Sequence, residues 1–354
     1  MSRTARGLEN RGHRVWILAH PRGRFLRSAP RGTRVIPRRL GMDYSPAGVA
    51  AVRRLIRRHR IQLLLTNIEK EVIIGGMAAR CCRIPNLRRV GREDDFNTRR
   101  RVRWHHRLLV DHAVTPCDAV QRQAKKRAPW LDLSRFTTIY NGRNPAFFNN
   151  EAVADQRRCW GLSSREIIIG VTSQLAPVKG IDDLVGAFSR LALGHPQARL
   201  VICGEGRHRK ALEDLADRLG IRQGVVFAGF SQNPLLAAAA YDIAVSNSRF
   251  EGFPNTVVEY FAAGRPVVTT DAGGVTEMAV NGENALVIPR QNAAALEAAL
   301  DKLLLDAALR RRLAANARQT LINGFTETMM LDQLEALCRR LIARKRMQRG
   351  APIV

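Results

Sequence analysis

The chain has 354 residues, 45% apolar and 25% charged, which is ordinary for a globular protein and long enough for two domains. Its longest apolar runs, such as residues 235–241, are too short to span a bilayer, and its opening residues contain no apolar signal core. The formal charge of +27 is one-sided: residues 1–150 hold 33 Lys and Arg against 10 Asp and Glu, and the remainder 25 against 21.

In chain order, residues 2–11 read as the end of a helix closed by Gly12, and residues 13–20 (HRVWILAH) as a buried strand. Further strands are expected at 33–37, 61–66, 86–91, 111–115 and 136–140, with helices at 46–59, 70–83, 97–109 and 117–127. Two of these helices mix cations with apolar residues. Arg53, Arg54, Arg57 and Arg58 alternate with Val49, Val52, Leu55 and Ile56; Arg99, Arg100, Arg101, Arg103 and Arg107 alternate with Val102, Trp104, Leu108 and Leu109. Such faces suit either packing on a sheet with solvated Arg, or lying on an anionic surface. His105 and His106 read as helix surface, and Trp104 is compatible with core.

Residues 141–150 form a linker with Gly142 and Pro145 as breakers. Strands are then expected at 167–172, 199–203, 225–228, 241–245, 266–270 and 285–288, and helices at 181–193, 207–219, 234–239, 255–263 and 293–305. A last helix covers 326–346 and leads into a basic tail. Strands that alternate with helices argue for parallel sheets. The cysteines at 81, 82, 117, 159, 203 and 338 have no CxxC or zinc spacing, so no disulfide framework is implied, and Cys203 reads as core.

The stretch 248–259 (SRFEGFPNTVVE) carries the chemistry. It reads as a tight loop between a buried strand and a helix from Asn255, with Gly252 and Pro254 shaping the entry and Pro254 in the first helical turn. The amides of Phe253, Asn255 and Thr256 then point outward at a helix N-terminus, which favours an anion. Glu251 stands before that site and Glu259 about one turn inside the helix. Carboxylates bracketing a phosphate-attracting helix start suit a sugar nucleotide, whose hydroxyls they can bind. Lys179, at a strand-to-helix turn, can reach diphosphate oxygens and stabilise a leaving group.

Two Glu separated by seven residues in this setting, with SQLAPVKG (173–180), LVICGEG (200–206) and IYNGRNPAFF (139–148), resemble the retaining GT-B glycosyltransferases of family 4. The match covers about residues 135–340, and the first half only loosely. The resemblance implies an α/β fold of GT-B architecture, with two Rossmann-like, doubly wound parallel-sheet domains facing a cleft. The expected boundaries are 1–144 for the acceptor side, 145–325 for the nucleotide-sugar side, and 326–354 for a helix crossing back to the first domain. It makes Glu251 the carboxylate facing the transferred sugar and Glu259 the partner of the ribose hydroxyls. Gln174 stands where the family usually has an Arg after Gly, so it supplies hydrogen bonds but no charge. Gly204 and Glu205 let the backbone approach the base, and Phe230 lines its pocket. Resembling enzymes open with one more strand and a Gly-rich loop; here Met1 falls inside the following helix, so an upstream start, or a damaged copy, is expected.

In the first half, Asp94 or Asp95 can act on the acceptor hydroxyl, with a solvated acidic loop as the competing reading. Asn67 and Lys70 lie at another strand end and can touch the acceptor or its phosphate. The expected activity is retaining transfer of a sugar from a nucleotide-diphosphate donor to a hydroxyl of a lipid-linked, lipopolysaccharide or exopolysaccharide-type acceptor. No cofactor or metal is required, since Lys179 and the helix start neutralise the diphosphate. The cationic half implies an anionic partner, a membrane surface above all, which places the protein in the cytoplasm on the inner membrane face. Arg-rich composition is the competing explanation of the charge. Nucleic acid is not expected, because no binding module is recognisable. An epimerase, a glycosyltransferase with a soluble acceptor, and a non-catalytic relic binding sugar nucleotides or membranes are the alternatives.

Overall fold

A computed structural model describes residues 2–23, 32–91 and 95–348. The elements are α1 (Ser2–Asn10), β1 (Trp16–Ala19), β2 (Arg34–Pro37), α2 (Pro46–Arg58), β3 (Leu64–Thr66), α3 (Glu69–Cys82), β4 (Asn86–Arg89), α4 (Arg100–Leu109), β5 (His112–Thr115), α5 (Asp118–Arg127) and β6 (Phe136–Thr138). There follow α6 (Asn150–Cys159), β7 (Ile167–Thr172), α7 (Ile181–Leu191), β8 (Ala198–Cys203), α8 (Arg209–Arg218), β9 (Val225–Gly229), α9 (Pro234–Ala239), β10 (Ile243–Ser246) and α10 (Asn255–Ala262). The chain ends with β11 (Val267–Thr270), β12 (Leu286–Ile288), α11 (Ala293–Leu305), α12 (Ala307–Gly324) and α13 (Glu327–Met347). Two compact units result: residues 1–140 with 329–354, and residues 141–328.

In the first unit all strand pairs are parallel, but they fall into two sheets, β1-β2 and β3-β4-β5-β6. No ladder joins β1 to β3 among the described residues, although Leu18 and Leu64 pack against one apolar cluster. That cluster is built by Val52 and Ile56 of α2 with Ile74, Ala78 and Ala79 of α3. The α2 helix starts where the Ser45 hydroxyl accepts from the Gly48 amide at 3.1 Å, and Pro46 sits where no amide is missed. The sequence reading let Leu55 and Ile56 of this helix meet a surface; instead Ile56 is buried and Leu55 half-buried. A second cluster packs Leu334, Leu337 and Leu341 of α13 on Leu87, Val114 and Ile139.

The α4 helix also departs from expectation. His105 and His106 face inward and are buried, whereas Trp104 is 62% and Leu108 47% exposed. His106 packs among Phe96, Trp130 and Phe136. Burial, with the nearby charges of Arg88 and Arg135, lowers its pKa to about 3.

The second unit has one continuous parallel sheet in the order β12-β11-β10-β7-β8-β9. Its core joins Ile169, Val171, Leu200, Ile202, Ile243 and Val245 of the strands to Leu184 and Phe188 of α7 and Leu296, Leu300 and Leu303 of α11. Cys203 is buried, as its apolar strand implied, and burial raises its thiol pKa to about 11. Two helices were not foreseen from sequence, α6 and α12. The latter buries Leu309, Leu313, Ala317 and Leu321, one residue per turn, and is capped by Asp306, which accepts from the Leu309 amide at 2.8 Å. Among the described residues no helix is long and apolar enough to cross a membrane.

Candidate functional site

The strand order of the second unit reverses between β7 and β10, which lie side by side at its centre. Loops leaving the carboxyl ends of such strands diverge, and the crevice between them is where open α/β sheets bind ligands. Here these loops carry residues 173–180 and 247–254. Tyr260 on α10 ties them together: its hydroxyl accepts from the Thr172 amide at 2.8 Å and donates to the Val245 carbonyl at 3.2 Å. Burial raises the Tyr260 pKa, so it remains a neutral hydroxyl able to do both.

Lys179 and Glu251 meet in this crevice, with Nζ 2.5 Å from Oε1. The Ser248 hydroxyl donates to the same carboxylate oxygen at 2.7 Å. Backbone fit brings the two loops this close. Gly180 adopts φ 58°, and a Cβ there would stand 2.3 Å from the Asn247 carbonyl oxygen. The Asn247 side-chain amide donates to the Gly180 carbonyl at 2.8 Å, and the Arg249 amide to Val178 at 2.8 Å. On the other side Gly273 has φ 59°, and its Cβ would stand 1.8 Å from the Glu251 carbonyl oxygen. The Gly274 amide donates to the Gly252 carbonyl at 2.9 Å. The loop that carries Glu251 is thus gripped from both flanks.

Glu259 is not a bare carboxylate. Its Oε1 accepts from Nη2 and Nε of Arg143 at 2.9 and 3.2 Å. In the sequence, Arg143 stands out only as part of the linker. The helix start differs in detail from the sequence reading. Pro254 is the N-cap rather than a first-turn residue, and the Asn255 amide donates to the Phe253 carbonyl at 3.0 Å instead of pointing outward. The Phe253 side chain is buried and stacks on Phe325. Thr256 lies half-buried in the first turn, and the Asn255 side chain accepts from Asn141 at 2.9 Å.

The glycine-rich loop after β8 lies against the loop after β7. The Leu175 amide donates to the Glu205 carbonyl at 2.9 Å, and the Gly204 amide to Gly229 at 2.7 Å. Gln174 is exposed, and its side chain makes no hydrogen bond among the described residues. Glu205 is paired with Arg209 at 2.9 Å, and Phe230, just past β9, is 76% exposed.

In the first unit, Asp94 lies outside the described residues. Asp95 accepts from the Gly91 amide at 3.0 Å. Asn67 is engaged by Glu71, whose carboxylate accepts from its amide at 2.8 Å and its side chain at 3.3 Å. Lys70 lines a cavity with His20, Arg39, Leu40, Gly41 and Met42. Beside it, His105 bridges the Tyr44 hydroxyl and Glu69, at 2.6 Å on each ring nitrogen, an arrangement the surface reading of His105 missed.

Residues 153–320 match the family described as glycosyl transferases group 1, and residues 1–147 that described as glycosyltransferase family 4. The uncharacterized glycosyltransferase MJ1607 of Methanocaldococcus jannaschii is 32% identical over 194 residues, 53% of this chain and 50% of that protein. The lipopolysaccharide core biosynthesis glycosyltransferase LpsE of Rhizobium meliloti is 33% identical over 154 residues, 44% of each chain. The chain thus spans about half the length of these curated relatives. Among solved structures, Anabaena HepE in complex with UDP and glucose superposes with a TM-score of 0.82 at 20% identity, over 95% of this chain and 94% of that one. Two consecutive family matches over nearly the whole chain, on a shared fold, make it a member of the group 1, family 4 type glycosyltransferases, with the GT-B architecture of two Rossmann-like units.

Proposed function

We propose that the chain transfers a sugar from a nucleoside-diphosphate donor to a hydroxyl of a lipid-linked or lipopolysaccharide-type acceptor, with retention of anomeric configuration and without a metal. The observation that carries the proposal is the Lys179–Glu251 pair at the switch point of the second unit. A cation there neutralises charge developing on a departing diphosphate, and a carboxylate held beside it by Ser248 faces the sugar. Glu259, oriented by Arg143, is the acceptor for ribose hydroxyls. The UDP and glucose bound to HepE, and the named role of LpsE, support the donor and acceptor classes.

The face of α4 supports work at an anionic membrane on the cytoplasmic side. Trp104 and Leu108 are exposed one turn apart, with exposed Arg100, Arg101, Arg103 and Arg107 around them. An aromatic and an aliphatic side chain ringed by guanidinium groups match an interface between acyl chains and anionic headgroups. The test is transfer from radiolabelled sugar nucleotides to lipopolysaccharide-core and lipid-linked acceptors in the presence of a chelator, with NMR of the new anomeric centre. Inversion, or dependence on added metal, would overturn the mechanism; transfer to soluble acceptors alone would overturn the acceptor class.

A further inference from the structure

We propose that the first unit holds a site for a phosphate monoester, and that this phosphate belongs to the acceptor. Naming the ligand an acceptor rests on the transferase reading above; the anion site rests on the first unit alone. The cavity lined by His20, Arg39, Leu40, Gly41, Met42 and Lys70 has a volume of about 380 Å³. Its walls come from three successive strand ends. His20 directly follows β1, Arg39 lies just beyond β2, and Lys70 opens α3 after β3. Carboxyl ends of parallel strands are where α/β folds place ligands.

Three of the six lining residues are basic and none is acidic. The acids next to Lys70 in sequence are engaged elsewhere. Glu69 bonds to His105 through one oxygen at 2.6 Å, and its other oxygen lies 3.4 Å from the buried Arg88 guanidinium. Glu71 accepts from Asn67. Among the described residues, neither Lys70 nor Arg39 makes an ion pair or a side-chain hydrogen bond. The α3 helix adds the positive end of its dipole, and its N-cap, Ile68, supplies no side-chain acceptor for the first amides.

Three basic residues border this concavity and no acid lines it, which leaves the charge of Lys70 and Arg39 for an anion to balance. A phosphate monoester suits them best, because a dianion balances Lys70 and Arg39, and a guanidinium binds phosphate oxygens in pairs. Leu40 and Met42 offer apolar wall to whatever carries the phosphate. The volume is near the lower end of ligand pockets, roughly 300–1,000 Å³, so the site reads a phosphate and its neighbouring group rather than a whole oligosaccharide.

The test uses the full chain with UDP or GDP present at saturation, so that the second unit does not capture the probe. Titration calorimetry compares glucose 6-phosphate with glucose, and flotation compares phosphatidylcholine vesicles with and without phosphatidic acid. We expect a phosphate-dependent affinity that falls about tenfold or more in Lys70→Gln with Arg39→Gln, and survives in Lys70→Arg. An unchanged circular dichroism spectrum and an unchanged cooperative melt show that the double variant is folded. Loss of glucose 6-phosphate binding in the double variant identifies a soluble phosphorylated acceptor; the same loss confined to phosphatidic acid vesicles identifies a phosphate presented on a lipid. Equal binding of glucose and glucose 6-phosphate together with no preference for phosphatidic acid, or undiminished binding in the double variant, overturns the site. If neither UDP nor GDP binds the wild type, the donor carries another base, and the phosphate titration still decides the site.

Discussion

The two units solve the same topological problem differently. In the second, every strand from β7 to β12 joins one sheet, and its candidate site lies where the strand order reverses. In the first, the strands split between β2 and β3 into separate sheets, and the first 150 residues hold most of the positive charge. A continuous sheet fixes loops rigidly enough to bring Lys179 and Glu251 together. The divided unit instead offers cations, on the α4 face and at the strand ends. Precise geometry resides in one unit and long-range charge in the other.

The sharpest test of that division is chemical. Glu251→Gln and Lys179→Ala should each lower sugar transfer by about 100-fold or more, as when a transition-state contact is lost, while the fold persists. Near-normal turnover in Glu251→Gln, measured by donor consumption and product formation, would remove the second unit from the reaction.

The next effect belongs to the first unit. Each cation near an anionic leaflet contributes about 1 kcal/mol at most, within a Debye length of roughly 8 Å. Changing Arg100, Arg101, Arg103 and Arg107 to Gln should therefore lower partition onto anionic liposomes by about tenfold or more, and the wild-type binding should weaken with salt. Equal partition to neutral vesicles would assign the binding to Trp104 and Leu108 alone. The corresponding changes at Arg53, Arg54, Arg57 and Arg58 should matter less, because the apolar side of α2 is occupied by α3.

Acid should separate the units by stability. Burial lowers the His106 pKa to about 3 and the His112 pKa to about 4, from an ordinary value of 6.5. The unfolded chain therefore takes up protons that the folded one refuses, so stability present above pH 6.5 is lost as pH falls toward 4. The loss is at most about 1.4 kcal/mol per pH unit for each histidine. Hydrogen exchange at pH 7 and pH 5 should show β5 amides losing protection faster than those of β7. A uniform response in both units would refute the assignment. At any pH, β1 and β3 should exchange before β7, which has a partner on each side.

The smallest effect expected is at Gln174. Because its side chain is exposed and makes no hydrogen bond among the described residues, Gln174→Arg adds a cation near the diphosphate without breaking anything. A gain of a few-fold in nucleoside-diphosphate affinity is expected. No change would place Gln174 away from the phosphate.

Local pattern carried most of the element assignments, because helix and strand periodicity is written over a few residues. Alternating elements imply parallel sheets, and the motif around Glu251 marks the loop that the fold places where the strand order reverses. Two helices escaped this reading for physical reasons. The α6 helix has no fully buried residue and hence no apolar stripe, while α12 shows a single buried residue per turn amid Arg, Asn and Gln. What only the tertiary structure decided concerns partners distant in sequence. Lys179 and Glu251 are 72 residues apart, and Arg143 and Glu259 are 116 apart. Their meeting depends on which strands are neighbours, which no local window contains. The same holds for the faces of α4. Its alternation of Arg with apolar residues is compatible with either side facing in, and packing of His105 and His106 under Tyr44 and Phe96 is what turned Trp104 outward.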